Sequence, residues 1–200
     1  MALKVPEAYK SKINEDGANF SANQTHLFIG NRVNLNVLFS EATLGDLPSL
    51  GRVASLYFHG HHVQKNPEFA LNLLEWVIGL GLEDTQGFEY AYARYLIQQS
   101  NYSDAINLLE ALKTQGHGMA MTTLSYLYKA GKGVPANKDL HKELLLAGAK
   151  TGDPQSRTAL MHYCFKRKKI ASYIYGLLIG IYNIPAVIKL ALSSDYKGRI

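Results

Sequence analysis

Four glycines, Gly45, Gly81, Gly116 and Gly152, recur along this chain of 200 residues at intervals of 36, 35 and 36. Self-similarity at that period constrains the fold strongly. A unit of this length is one supersecondary element that cannot bury its apolar face alone, so neighbours must stack to form a core. Two stretches repeat in phase: Leu56, Gly60, Val63 and Gly81 each stand 71 residues, two periods, before Leu127, Gly131, Val134 and Gly152.

Each unit reads as helix, turn, helix, turn. Val53, Leu56 and Tyr57 form an apolar stripe of helical spacing, and the small residues Ala54 and Ser125 sit where helices can approach closely. Gly60 and Gly131 are expected to end the first helix in the left-handed conformation, with Val63 and Val134 plugging the turn into the core. Asn66-Pro67 is a cap followed by a first-turn proline. Ala70, Leu73, Leu74, Val77 and Ile78 make the second stripe, stopped by Gly81. A degenerate unit follows, with Ala91 and Tyr95 in its first helix and Ala105, Leu108, Leu109 and Leu112 in its second. Its turn is the shorter polar run 100–104. A weaker unit precedes Gly45, with Val37, Leu38 and Ala42 as its second helix. Residues 1–20 are expected to be poorly ordered. After Gly152, Asp153-Pro154 opens another first helix carrying Ser156, Leu160 and Tyr163. The organisation is thus a poorly ordered 1–20, helical repeats over 21–165 and a distinct segment 166–200.

The pattern carried by Ala120, Leu124, Leu127, Tyr128, Gly131, Gly133, Val134, Asn137, Ala149 and Gly152 resembles the Sel1-like repeat, a relative of the tetratricopeptide repeat. Leu56, Tyr57, Gly60, Val63, Asn66, Ala70 and Gly81 match it as well. Departures are His62 in place of the second turn glycine, His141 in place of an alanine, and Leu73 and Leu144 at the usual tryptophan. The resemblance covers about residues 45–165. It implies an all-α fold, helix pairs stacked in a right-handed superhelix (an α-solenoid), and a protein-binding adaptor or scaffold. By analogy Ser55, Phe58, Tyr126, Lys129, His162 and Phe165 point into the groove. Packing of Phe58 and Phe165 between units is the alternative.

Charge sharpens the functional reading. Residues 1–50 sum to −1, residues 51–152 to 0 and residues 153–200 to +6. A nucleic-acid reader would spread its basic surface along the recognition face, so nucleic acid is not an expected partner. The lone cysteine, Cys164, excludes an intrachain disulfide and fits a reducing compartment. It reads as an inert buried thiol. No apolar run of secretory length opens the chain. His59-Gly60-His61-His62 is the one cluster that invites a metal, but no cysteine or acid lies at a matching spacing, and the expectation is turn histidines facing solvent. Gly131-Lys132-Gly133 lacks the context of a phosphate-binding loop. No catalytic constellation, metal or cofactor is expected.

Lys166, Arg167, Lys168 and Lys169 precede residues 170–192, in which only Lys189 is charged. Helical, that stretch would reach roughly 34 Å, enough to cross a hydrocarbon core of about 30 Å. Asn183 and Pro185 interrupt it. Two readings stand: a closing helix pair buried by protein, or attachment at the cytoplasmic face of the inner membrane through the basic cluster and Ile174, Leu177, Leu178 and Ile181. The expected function is a cytoplasmic adaptor binding a protein partner. The alternative is a membrane-attached subunit or assembly factor, and an enzyme or metal protein is least favoured.

Overall fold

The computed structural model describes residues 3–28, 31–83 and 85–166, with residues 177, 178 and 181. The described residues divide into two compact units, the first ending at Phe88 and the second beginning at Glu89.

In the first unit α1 (Glu7–Gly17), α2 (Leu35–Thr43), α3 (Leu47–His59) and α4 (Pro67–Gly79) pack in succession, each against the next. Helix α1 lies within the stretch expected to be poorly ordered, and this expectation is corrected. Ile13 is fully buried, Tyr9 sets its ring edge against Phe69 at 5.7 Å, and Tyr9 Oη donates to the Asn72 carbonyl of α4 at 3.2 Å. Helices α1 and α2 therefore form a helix pair ahead of α3 and α4. The apolar stripe of α2 is Leu35, Leu38, Phe39 and Ala42, all buried. Val37, expected in that stripe, lies off its i, i+3, i+4, i+7 line and is 50% exposed. Burying each large apolar side chain contributes roughly 1.5–3 kcal/mol, and Leu50, Val53, Leu56, Tyr57, Leu73 and Leu74 continue the core through α3 and α4.

The all-α reading misses one element. Between α1 and α2 the chain forms an antiparallel pair, β1 (Thr25–Phe28) and β2 (Asn31–Asn34), in which His26 faces Val33 and Leu27 faces Arg32. The pair occupies the turn of the first helix pair, the place that residues 60–66 fill between α3 and α4. Asn34 closes it by capping α2, its side chain accepting from Val37 N at 3.2 Å.

The second unit holds most of α5 (Gln86–Gln98), then α6 (Tyr102–Thr114), α7 (Gly118–Ala130), α8 (Lys138–Lys150) and α9 (Pro154–Lys166). One core joins Ala93 of α5, Leu109 and Leu112 of α6, Ala120, Leu124 and Leu127 of α7, and Leu144 of α8, with Val134 packed against it from the turn. A second joins Leu145, Leu160 and Cys164. Cys164 is buried, as its apolar position requires.

The turns obey the repeat logic. Gly60 and Gly131 end α3 and α7 at φ 76° and 65°. Asn66 and Asn137 cap α4 and α8 from their side chains. Gly133 sits at φ 72°, and His62, its counterpart two periods earlier, adopts φ 66° although it is not glycine. Ser100 does the same at φ 63° in the shortened turn.

Among the described residues no helix is long and apolar enough to cross a membrane. Arg167, Lys168, Lys169 and Ile174 lie outside the described residues. Leu177, Leu178 and Ile181 are helical and exposed.

Candidate interaction face

The first helices of successive repeats lie side by side in the second unit. Tyr90 Oη and Thr123 Oγ1 share a hydrogen bond of 3.0 Å between α5 and α7. Thr122 Oγ1 donates to Ser156 Oγ at 2.9 Å between α7 and α9. Ser156 in turn donates from its hydroxyl and its backbone N–H to Asp153 Oδ2, at 2.7 and 2.6 Å, which caps α9. Small residues let α8 approach α7 closely: a side chain on Gly148 would stand 2.9 Å from the Gly118 carbonyl, and one on Gly118 would strike Thr151 Oγ1.

On this scaffold sits a column of rings. His141 of α8 is buried, and its Nδ1 donates to the Ser125 carbonyl at 3.0 Å. Its imidazole lies 5.9 Å from the Tyr126 ring of α7 and edge-on to Tyr163 of α9 at 5.2 Å. Burial holds the His141 pKa below the usual histidine value; the hydrogen bond to Ser125 opposes this and the Lys129 charge adds to it. The neutral ring acts as a wedge bracing both tyrosines. Tyr126 remains 45% exposed, with Lys129 Nζ 5.9 Å above its ring.

The six residues expected in a groove have different placements. Tyr126 and Lys129 come together on an exposed surface. His162 is exposed and adjoins Tyr163, which takes part in the column. Phe165 is half-buried. In the first unit, Ser55 is half-buried, whereas Phe58 is 2% exposed and packs as a core side chain. Lys166 is the last residue of α9.

The turn histidines acquire a neighbour that local reading missed. His59, His61 and His62 are exposed, and His26 on β1 meets them. His26 Nδ1 lies 3.0 Å from His62 Nε2, and its ring centroid is 5.3 Å from that of His61, which stacks with His59 at 5.6 Å. Burial, then the charges of His62 and His61, lower the His26 pKa. The signal was present in the sequence: His26 and His62 are 36 residues apart, one period. Among the described residues no three histidine, cysteine or acidic side chains stand at the spacing of a formed metal site.

No family model matches the sequence, and no curated protein matches it. Solved structures do. A Sel1 repeat protein from Oxalobacter formigenes aligns over 70% of this chain and 60% of its own, with TM-score 0.51 and 16% identity. A protective antigen of uropathogenic Escherichia coli strains displaying the SLR fold aligns over 67% of this chain and 29% of its own, with TM-score 0.52 and 20% identity. This chain thus spans less than two thirds of either protein. The stacked helix pairs, the period and these structural likenesses agree: the chain has the Sel1-like repeat fold, an α-solenoid.

Proposed function

We propose that the chain is a protein-interaction scaffold that binds a segment of a partner protein on the surface around Tyr126, Lys129 and His162. One observation carries the reading: an exposed tyrosine held rigid by a buried histidine beneath it and flanked by a lysine. An aromatic side chain that is already ordered loses little entropy on binding and offers a large contact area, the character of an interface anchor. Lys129 beside it favours a partner segment with a carboxylate near an apolar group. The repeat fold supports the reading at the coarser level, since stacked repeats offer extended surfaces for proteins. The proposed location is the cytoplasm, and the reading needs neither catalysis nor a cofactor.

Comparing proteins captured from a cell extract by the wild-type chain, by Tyr126→Ala and by Lys129→Glu tests it. Partners retained by the wild type and lost by both variants, with unchanged helical circular dichroism, support the proposal. Identical capture by all three overturns it.

A second reading rests on Leu177, Leu178 and Ile181, which stand at the sequence spacing i, i+1, i+4 and are exposed. Beside the basic run 166–169 they fit attachment to an anionic membrane surface, so that the chain would serve as a membrane-attached subunit or assembly factor. Co-sedimentation with anionic vesicles that survives Leu178→Glu with Ile181→Glu would overturn this reading.

A further inference from the structure

We propose that His26, His61 and His62 form a binding site for a divalent transition-metal ion such as zinc, with His59 at its edge, and that the ion fastens the inserted β-pair to the α3–α4 turn. The side chains come from the turns of two consecutive helix pairs. Stacked repeats bring residues one period apart into register, and His26 and His62 are 36 residues apart.

The His26 Nδ1 and His62 Nε2 atoms are 3.0 Å apart. Two nitrogens bound at about 2.0–2.1 Å to a tetrahedral ion stand roughly 3.3–3.4 Å from each other. The pair therefore has to open by only a few tenths of an ångström. One of the two nitrogens now donates a hydrogen bond to the other; with an ion between them, both present lone pairs to the metal. His61 supplies the third nitrogen by rotating its exposed ring, whose centroid is already 5.3 Å from that of His26. Rotation is required, because the rings as they stand do not converge on one point. An all-imidazole set suits zinc, copper or nickel rather than magnesium or calcium, and leaves a fourth position for water or a partner's side chain.

The backbone gives a second, independent observation. His62 holds φ 66°, the conformation that Gly133 holds at φ 72° in the sister turn. A side chain at that φ crowds its own backbone, so the position disfavours any residue but glycine. The turn thus carries an imidazole where the local geometry favours glycine, and that imidazole is the one in contact with His26.

Zinc titration by calorimetry, Co(II) titration read by visible absorption and thermal unfolding with and without zinc test the proposal on the intact chain. One ion per chain, a tetrahedral cobalt band and a zinc-dependent rise in Tm are expected. His26→Gln and His62→Gly should each weaken zinc binding at least tenfold, and His59→Gln much less. His62→Gly also restores the favoured backbone residue, so its Tm without zinc should equal or exceed that of the wild type; this separates loss of the ligand from loss of the fold. Unchanged zinc affinity in His26→Gln would mean that the turn histidines act alone and would overturn the proposal. So would a wild-type chain that binds no zinc.

Discussion

Tyr57 donates its phenolic hydroxyl to Asp16 Oδ2 at 2.6 Å, joining α3 to α1 across 41 residues of sequence. Burial first, then the hydrogen bond and the negative charge of Asp16, push the phenol's pKa far above its ordinary value, so it remains the donor at all working pH values. Lys12 Nζ sits 3.2 Å from the same carboxyl oxygen. Tyr57→Phe removes only the hydroxyl. A hydrogen bond to a charged group is worth roughly 1.5–3 kcal/mol, and Asp16 keeps Lys12 as a partner, so urea unfolding should show a loss near the lower end of that range.

His141 should make stability depend on pH. Its folded pKa lies below the unfolded value of 6.5, so the unfolded chain binds the extra proton first. Its contribution is fully present above about pH 6.5, falls as the pH drops through that value and levels off below the depressed folded pKa. His141→Ala, the residue the repeat pattern expects, should flatten that part of the profile relative to wild type. Urea midpoints measured from pH 7.5 to pH 5 for both proteins check this; parallel profiles would contradict it.

The two turn glycines after α7 should respond unequally to substitution. A methyl on Gly131 meets Ala136 at an ordinary 3.4 Å, so Gly131→Ala carries only the left-handed backbone cost of about 1–2 kcal/mol. At Gly133 the methyl would strike Tyr102 Cβ and come within 2.9 Å of Ile106 Cδ1. Gly133→Ala should therefore cost clearly more, by thermal or urea unfolding, because α6 has to shift as well.

Removing the cap of α9 probes the seam between α7 and α9. Asp153→Ala deletes the acceptor for both the N–H and the hydroxyl of the buried Ser156, with a loss of about 1–2 kcal/mol. Thr122→Val should couple to it, because Thr122 donates to the same Ser156 hydroxyl. A double-mutant cycle giving simple additivity would show that the three side chains do not act as one network.

The sequence made α3, α4 and α6–α9 legible because their apolar residues keep helical spacing and turn glycines or polar capping residues, such as Asp46, Asn66, Asn137 and Asp153, mark their ends. Helix α1 escaped notice because Ile13 and Gly17 are its only buried residues, and Pro6 at its start offers no capping side chain. The β-pair is too short and too mixed, with His26 beside Leu27 on β1, to show an alternating pattern. Tyr126 could be found from its place in the first helix, but Phe58 could not be assigned to a face; it lies four residues from the buried Ala54 and is buried with it. The meeting of His26 with His62 is encoded only in their separation of 36 residues, one period, and in no local motif.

The β-pair also says where this architecture is free to grow. Residues 18–34 join α1 to α2, a connection roughly ten residues longer than residues 60–66 between α3 and α4, yet the helices on either side still stack. Because loop-closure entropy rises only with the logarithm of length, that extension costs about 0.8 kcal/mol. The turn edge is thus a port: a graft there alters what the molecule presents to its surroundings while the stack beneath carries on unchanged. A small reporter domain or an epitope belongs at that edge rather than at a helix face.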